Sequence, residues 1–323
     1  MQILIKRKKI IVNVGIILAS YILVNFLLGS GILNRQYRSI IIPICVNIML
    51  AVSLNLVTGF LGELSLGHAC FMSIGAYSGS LTTLYIVNNI PNFLGLIISI
   101  LVGGIIAAIF GFLIGVPVLR LRGDYLAIVT LGFGEIVKSV INVIPITGGS
   151  KGLSGIPLKS DFKNFTFVFI ITVLVVVLIT NLVYSREGRF ITAIRDNDIA
   201  AESVGVKLGK HKVTTFTISA FFAGIAGVLY AHNIGIIKPV TFDYNKSIEI
   251  LVIVVLGGMG SIQGSIIAAI ALTVLPELLR AADDFRMLLY AIVLIAMMIF
   301  NHSKIKDGLL ANKLTRKLVK REG

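Results

Sequence analysis

Few residues in this chain have the types and spacing that chemistry needs, and most of them sit in apolar surroundings. Gly205-Val206-Lys207-Leu208-Gly209-Lys210-His211 resembles a phosphate loop only in outline. It lacks the four-residue interval before Gly-Lys, and His211 stands where a Mg²⁺-binding Ser or Thr is required. His68, His211, His232 and His302 do not form a zinc-helix spacing. No serine of the Gly-x-Ser-x-Gly type falls at a strand–helix junction. Cys45 and Cys70 lie in apolar runs with no ligand spacing nearby, which makes them small packing residues. The sequence thus predicts no catalytic residue, no metal site, no cofactor bound by this chain, and no enzyme activity of its own.

What remains is polar chemistry at interruptions of apolar sequence. Gly59-Phe60-Leu61-Gly62-Glu63-Leu64-Ser65-Leu66-Gly67-His68 is one break, and Gly257-Gly258-Met259-Gly260-Ser261 with Gly264 is another. Breaking a helix at membrane depth frees backbone groups that protein or a water-filled cavity must satisfy, and transporters use such breaks to bind polar solutes and to bend. Glu63, Ser65, Gly67, His68, Gly257, Gly258 and Gly260 are therefore candidate pathway or gating residues. The competing reading is close helix packing through glycine, with the polar groups at a span end. Glu135 and Lys138 are three apart on one predicted helix, as are Glu277 and Arg280, and both spacings suit structural ion pairs. Asn47 and Asn55, eight apart on one helix face, suit hydrogen bonds to a neighbouring helix.

The elements that must position these groups are membrane spans. Of 323 residues 56% are apolar and 14% charged, with a mean hydropathy of +0.97, far more apolar surface than a soluble core could bury. Runs near the ~20 residues that cross a bilayer recur at Ile10–Leu28, Ser39–Phe60, Ala69–Val87, Phe93–Leu119, Tyr125–Ile144, Phe165–Tyr184, Val213–Ile236, Ile248–Leu279 and Met287–Phe300. Strand-like alternation is absent, so a β-barrel is excluded. Ile248–Leu279 would reach ~48 Å as one helix, so it is predicted to turn at its glycines as a broken or re-entrant pair. The expected fold is all-α, a polytopic transmembrane bundle of about ten segments with both termini cytoplasmic. The net charge of +14 gathers at Lys6–Lys9, in the central island and in the tail from Lys304 to Arg321, the pattern of basic residues on the cytoplasmic side. Anionic lipid accounts for much of it, and without a basic groove bearing stacking aromatics nucleic acid is not a partner. Residues 1–9 and 301–323 then form basic cytoplasmic ends, 10–184 and 213–300 the spans, and 185–212 a cytoplasmic loop. Thr147–Lys163 is the longest external loop.

That central loop, Ser185–Lys212, is the largest surface available to a soluble partner. Asp196-Asn197-Asp198 can cap a short helix, Ile199–Val204 can form it, and Gly205 can close it in the left-handed conformation. Ala200 and Ala201 thin one face and suit close docking.

Several blocks, in order from about Asn47 to Pro276, resemble the branched-chain amino acid ABC transporter permeases of the LivM type. They are Asn55–Ala69, Leu119–Ile136, Thr147-Gly148-Gly149 with Gly152–Pro157, Ser185–Arg189, Ala193–Arg195, Ile199–Glu202, and Gly257–Ser261 with Gly264. The resemblance implies a multi-pass subunit of a bacterial cell membrane importer that pairs with a second, LivH-type permease, two cytoplasmic ATPases that use the ATP, and an external solute-binding protein. It also implies a coupling helix around Asp198–Gly205 that meets the ATPases, with Arg195, Asp198, Ala200, Ala201, Glu202 and Gly205 as the ATPase-coupling residues. Ile199 departs from the broader importer motif, which has Glu there, and no Leu-Pro pair closes the helix. The expected transport is alternating access for branched-chain or related amino acids. A permease for urea or short amides, and an ion-coupled secondary transporter, are the alternatives.

Overall fold

The computed structural model describes residues 15, 17–26, 28, 35–85, 92–121, 123–157, 164–279, 291, 292 and 295. Among them the architecture is helical: α1 (Ile17–Phe26), α2 (Arg35–Asn55), α3 (His68–Tyr85), α4 (Asn92–Val118), α5 (Asp124–Val143), α6 (Phe165–Val183), α7 (Arg186–Asp196), α8 (Asp198–Ser203), α9 (Leu208–Ile234), α10 (Tyr244–Gly257) and α11 (Ile262–Leu278). Five stretches are long and apolar enough to cross a membrane: Tyr37–Leu61, Leu94–Val118, Asp124–Val143, Phe165–Val183 and Leu208–Ile234. The segment Met287–Phe300 lies largely outside the described residues. So do the basic ends 1–9 and 301–323, Lys159 and Lys163, and Arg280, the expected partner of Glu277.

α9 packs most extensively against α4 and α3, and small residues make this close. Gly103, Ala107, Gly111 and Gly115 recur every four residues on α4 and lie against Val228, Gly224, Ala220 and Phe216 of α9 respectively. A Cβ on Gly75 of α3 would land on the backbone of Gly224. Lipid tails are as apolar as leucine, so contact between spans depends on such close approach rather than on expulsion of water. α3 is buried along most of its length, which is why its many hydroxyls are tolerated although it is too polar to count as a span by composition. The buried His232 joins three helices, sharing hydrogen bonds with Thr83 Oγ1 at 2.9 Å and with the carbonyl of Val228, while Thr83 meets Ser99 Oγ at 2.6 Å.

The stretch Ile248–Leu279 is not one helix. α10 and α11, ~21 and ~26 Å long, are separated by Gly258–Ser261 and pack on each other. The central loop holds more structure than its sequence suggested. α7 precedes α8, started by Ser185, whose side chain accepts from Gly188 N–H. α9 begins at Leu208 rather than Val213, because a helix extends into polar sequence wherever its first turn finds partners, while hydropathy marks only where the apolar run begins.

The two ends of the bundle differ. At the start of α9 stand α7, α8 and the first glycine break, and ~39 Å away, at its end, stands the loop that follows α5. Leu153 and Ile237 exchange both backbone hydrogen bonds at 2.9 and 3.0 Å, and Ile156 N–H donates to Gly235. Thr147 Oγ1 donates to the carbonyls of Ile141 and Ile144. The described part of the expected external loop is thereby held to the end of α9.

Candidate functional site

α2 ends in a π-helical stretch, Leu56–Leu61, every residue of which is buried. Its wide turn ends at Gly62, whose φ of +82° only glycine adopts without strain. The chain then runs without regular structure to Gly67 before α3 begins. Irregular backbone inside a bundle must find partners from neighbouring elements, and here hydroxyl groups supply them. Leu66 N–H donates to Thr130 Oγ1 of α5 at 3.1 Å, and Ala69 N–H to Ser247 Oγ of α10 at 3.1 Å. Gly67 lies against the backbone of Thr130, with no room for a Cβ. His68 is buried and shares a hydrogen bond between Nε2 and Ser53 Oγ at 2.9 Å. Ser65 Oγ and Thr58 Oγ1 are buried without a hydrogen-bond partner among the described residues.

The second break meets the first. Asn55 Oδ1 accepts from Gly260 N–H at 2.9 Å, and Asn55 Nδ2 donates to the Ser261 carbonyl at 3.1 Å and to Ser265 Oγ at 2.9 Å. A Cβ on Gly59 would fall on Asn55 Oδ1 and Gly260 N, so the two backbones touch here. About two turns toward the other end of α2, Asn47 Nδ2 donates to Thr273 Oγ1 at 2.8 Å. Both asparagines bridge helices, as their spacing suggested. The glycines of the second break divide between the two readings: Gly257 packs against Gly264, whereas Gly258 and Gly260, at φ +89° and +81°, turn the chain.

Two cations join this junction to the central loop. Arg195, in the last turn of α7, donates from Nη1 to the Gly59 carbonyl at 3.1 Å, and its side chain covers Gly62 and borders Gly260. Its other nitrogens, Nε and Nη2, hold Asp196 at 3.0 and 2.9 Å. Lys212, in the second turn of α9, forms a buried ion pair with Glu63. Sequence reasoning placed Lys212 in the basic cytoplasmic loop and Glu63 among the residues of the first break, with no link between them. No spacing signal could link residues 149 positions apart.

The remaining candidates lie on α8. Asn197 caps it, accepting from Ala200 N–H at 2.9 Å, and Gly205 follows at φ +87°. Ala201 is buried, while Ala200, Glu202 and Gly205 are exposed. Ile199 and Val204 are 72% and 78% exposed, so this short helix carries an uncovered apolar edge at the end of the molecule. Asp198 sits in its first turn, where a carboxylate favours the helix dipole. Glu187 and His211 meet at 3.0 Å, bracing α7 on α9. The Glu135–Lys138 pair forms within α5 at 2.5 Å. No group of three or more metal-ligating side chains assembles among the described residues.

Comparison with known proteins gives a consistent picture. Residues 36–301 match the family described as the branched-chain amino acid transport system permease component. The chain is 41% identical over 285 residues to the high-affinity branched-chain amino acid transport system permease protein LivM of Escherichia coli K12, covering 78% of this chain and 66% of that protein. It is 26% identical over 254 residues to the LivH permease protein of Salmonella typhimurium, covering 72% and 81%. To the ribose import permease protein RbsC of Haemophilus influenzae it is 24% identical over 256 residues, covering 74% and 75%. The chain thus spans just under two thirds of the length of its LivM relative. No solved structure matches it.

Proposed function

Since this chain belongs to the family of branched-chain amino acid transport permease components, we propose that it is one permease subunit of an ATP-driven importer of branched-chain or related amino acids. The subunit is taken to lie in a bacterial cell membrane with about ten segments, α10 and α11 forming a broken pair, and with both termini cytoplasmic. Its partners on this reading are a second permease resembling LivH, two cytoplasmic ATPases that hold the ATP, and an external solute-binding protein.

The observation that carries the reading is the linkage from α8 to the paired breaks. An ATPase seated on the exposed edge of Ile199, Ala200 and Val204 would move α7 and α8 as one body. Arg195 passes that motion to Gly59 and Gly260, and Lys212 passes it to Glu63. Glycine turns joined through Asn55 then allow α2, α10 and α11 to tilt together and expose a solute to alternate sides. The ATP-bound partners drive this only by favouring one arrangement of α7 and α8 over the other. Substrate selection falls first to the binding protein, which would dock at the end carrying Thr147–Pro157.

Reconstitution into proteoliposomes tests the reading. Uptake of leucine should require the second permease, the ATPases, ATP inside the docking compartment, and the binding protein. Uptake by this chain driven by an ion gradient alone would overturn it in favour of a secondary transporter. Uptake of urea or short amides in place of amino acids would keep the importer and replace its substrate.

A further inference from the structure

α5 and α6 are equally uncovered, yet they present different chemistry. In the most apolar stretch of each, 28% of the residues are buried, but the mean hydropathy is 2.8 in α6 and only 1.6 in α5. The outward residues along the middle of α6, Ile170, Leu174, Val177 and Leu178, are all apolar, as contact with acyl chains requires. The outward face of α5 carries Ile128, Ile136 and Ser139, and beside them the Glu135–Lys138 pair, whose side chains are 36% and 26% exposed. Glu135 lies ~16 Å from the first residue of α5 and ~12 Å from the last, deep within the helix. Charges that far along a span face protein or water, not lipid. Gly132, one helical turn before Ile136, has nothing within 4 Å of where a Cβ would stand. Packing within this chain therefore does not require glycine there, and its backbone is open to approach from outside.

We infer that this face of α5 lines an aqueous route and that Glu135 and Lys138 form a transient contact site for the zwitterionic head of an amino acid. The carboxylate of Glu135 receives the solute's ammonium group, and the ammonium of Lys138 receives its carboxylate. When the site is empty the two side chains close on each other, so no charge is stranded, and the solute exchanges one neutral pair for another. Such a site is weak enough to release, which a route needs. The inference rests on the amino-acid reading proposed above.

The test uses the complete complex in proteoliposomes with leucine-loaded binding protein. Glu135→Gln and Lys138→Gln should each raise the KM for uptake by about tenfold, the effect of losing one charge-assisted hydrogen bond, with the amount of assembled complex unchanged. The double variant should be no better than the worse single one. A purely structural ion pair behaves oppositely: removing both charges restores what either single change loses, and recovery of the double variant to wild-type KM would overturn the contact. Ser139→Cys reports on water independently, because the native Cys45 and Cys70 are buried. A water-soluble maleimide should modify it, more slowly during leucine turnover. Modification only by a membrane-dissolved reagent, or by neither, would overturn the aqueous route. If the wild-type complex moves no amino acid, the proposed function fails by itself, and the labelling still decides whether this face is wet.

Discussion

The guanidinium of Arg195 donates to the carbonyl oxygen of Gly59 at 3.1 Å, joining residues 136 positions apart. A side chain from the polar central loop thereby satisfies backbone freed by a break between two helices. The bond is more than packing, because the same arginine covers Gly62 and borders Gly260. It touches both glycine turns at once.

Removing that link should uncouple hydrolysis from transport. Arg195→Met is expected to leave the ATPases bound while uptake falls roughly tenfold, in line with the loss of a charged hydrogen bond. Arg195→Lys, which lacks the planar fork, should fall between. Uptake and ATP hydrolysis measured on the same proteoliposomes check this. Loss of the assembled complex in step with uptake would count against it.

Glu63 and Lys212 should show strong non-additivity. Both are about one-tenth exposed, so removing either partner strands a buried charge and costs about 3–5 kcal/mol. Glu63→Gln with Lys212→Met should recover most of the loss. Thermal unfolding of the purified complex measures it, and equal destabilisation in the single and double variants would contradict the pairing.

Neighbouring glycines of the second break should fail in different ways. Gly258→Ala adds a methyl group that meets only Ser261 Cβ, at 4.0 Å, but strains a φ of +89°, a cost of about 1–3 kcal/mol. Uptake should drop with assembly intact. Gly257→Ala pushes on the backbone of Gly264, so assembly and uptake should fall together. Quantifying complex and uptake on the same membranes separates the two.

Gly205→Val tests the docking edge. Nothing lies within 4 Å of the new Cβ, and the only penalty is the left-handed conformation that ends α8. Membrane insertion should stay normal while the ATPase co-purifies less well. Full retention with full uptake would reject a docking role for α8.

Labelling fixes the sidedness. A cysteine replacing the exposed Ser150 should react with an impermeant reagent from outside, and a reporter fused after Lys320 should be cytoplasmic. The reverse result at either position would reject the topology proposed for α10 and α11.

Local chemistry was legible in the chain itself. A six-residue helix at Asp198–Ser203 follows from Asn197 before it and Gly205 after it, since caps act within one turn. The glycine run Gly59–His68 overlaps the irregular stretch Gly62–Gly67, and Gly257–Ser261 overlaps the turn after α10, while asparagines eight apart foretold the side from which α2 is bridged. α7 was also legible in principle, with Ser185 as its cap and Glu187 in its first turn, but its polar sequence gave hydropathy nothing to register.

Only the tertiary structure decided who pairs with whom. Glu63 finds Lys212, Arg195 finds Gly59, and Asn55 finds Gly260, all across more than 130 residues. Periodicity reports which face of one helix is apolar, but it carries no information about which distant element arrives there. The same limit hid the split among the glycines. Whether Gly257 packs and Gly258 turns depends on the backbone of Gly264 lying against the one and only an ordinary contact with Ser261 beside the other, and that is a property of two helices brought together, not of either sequence.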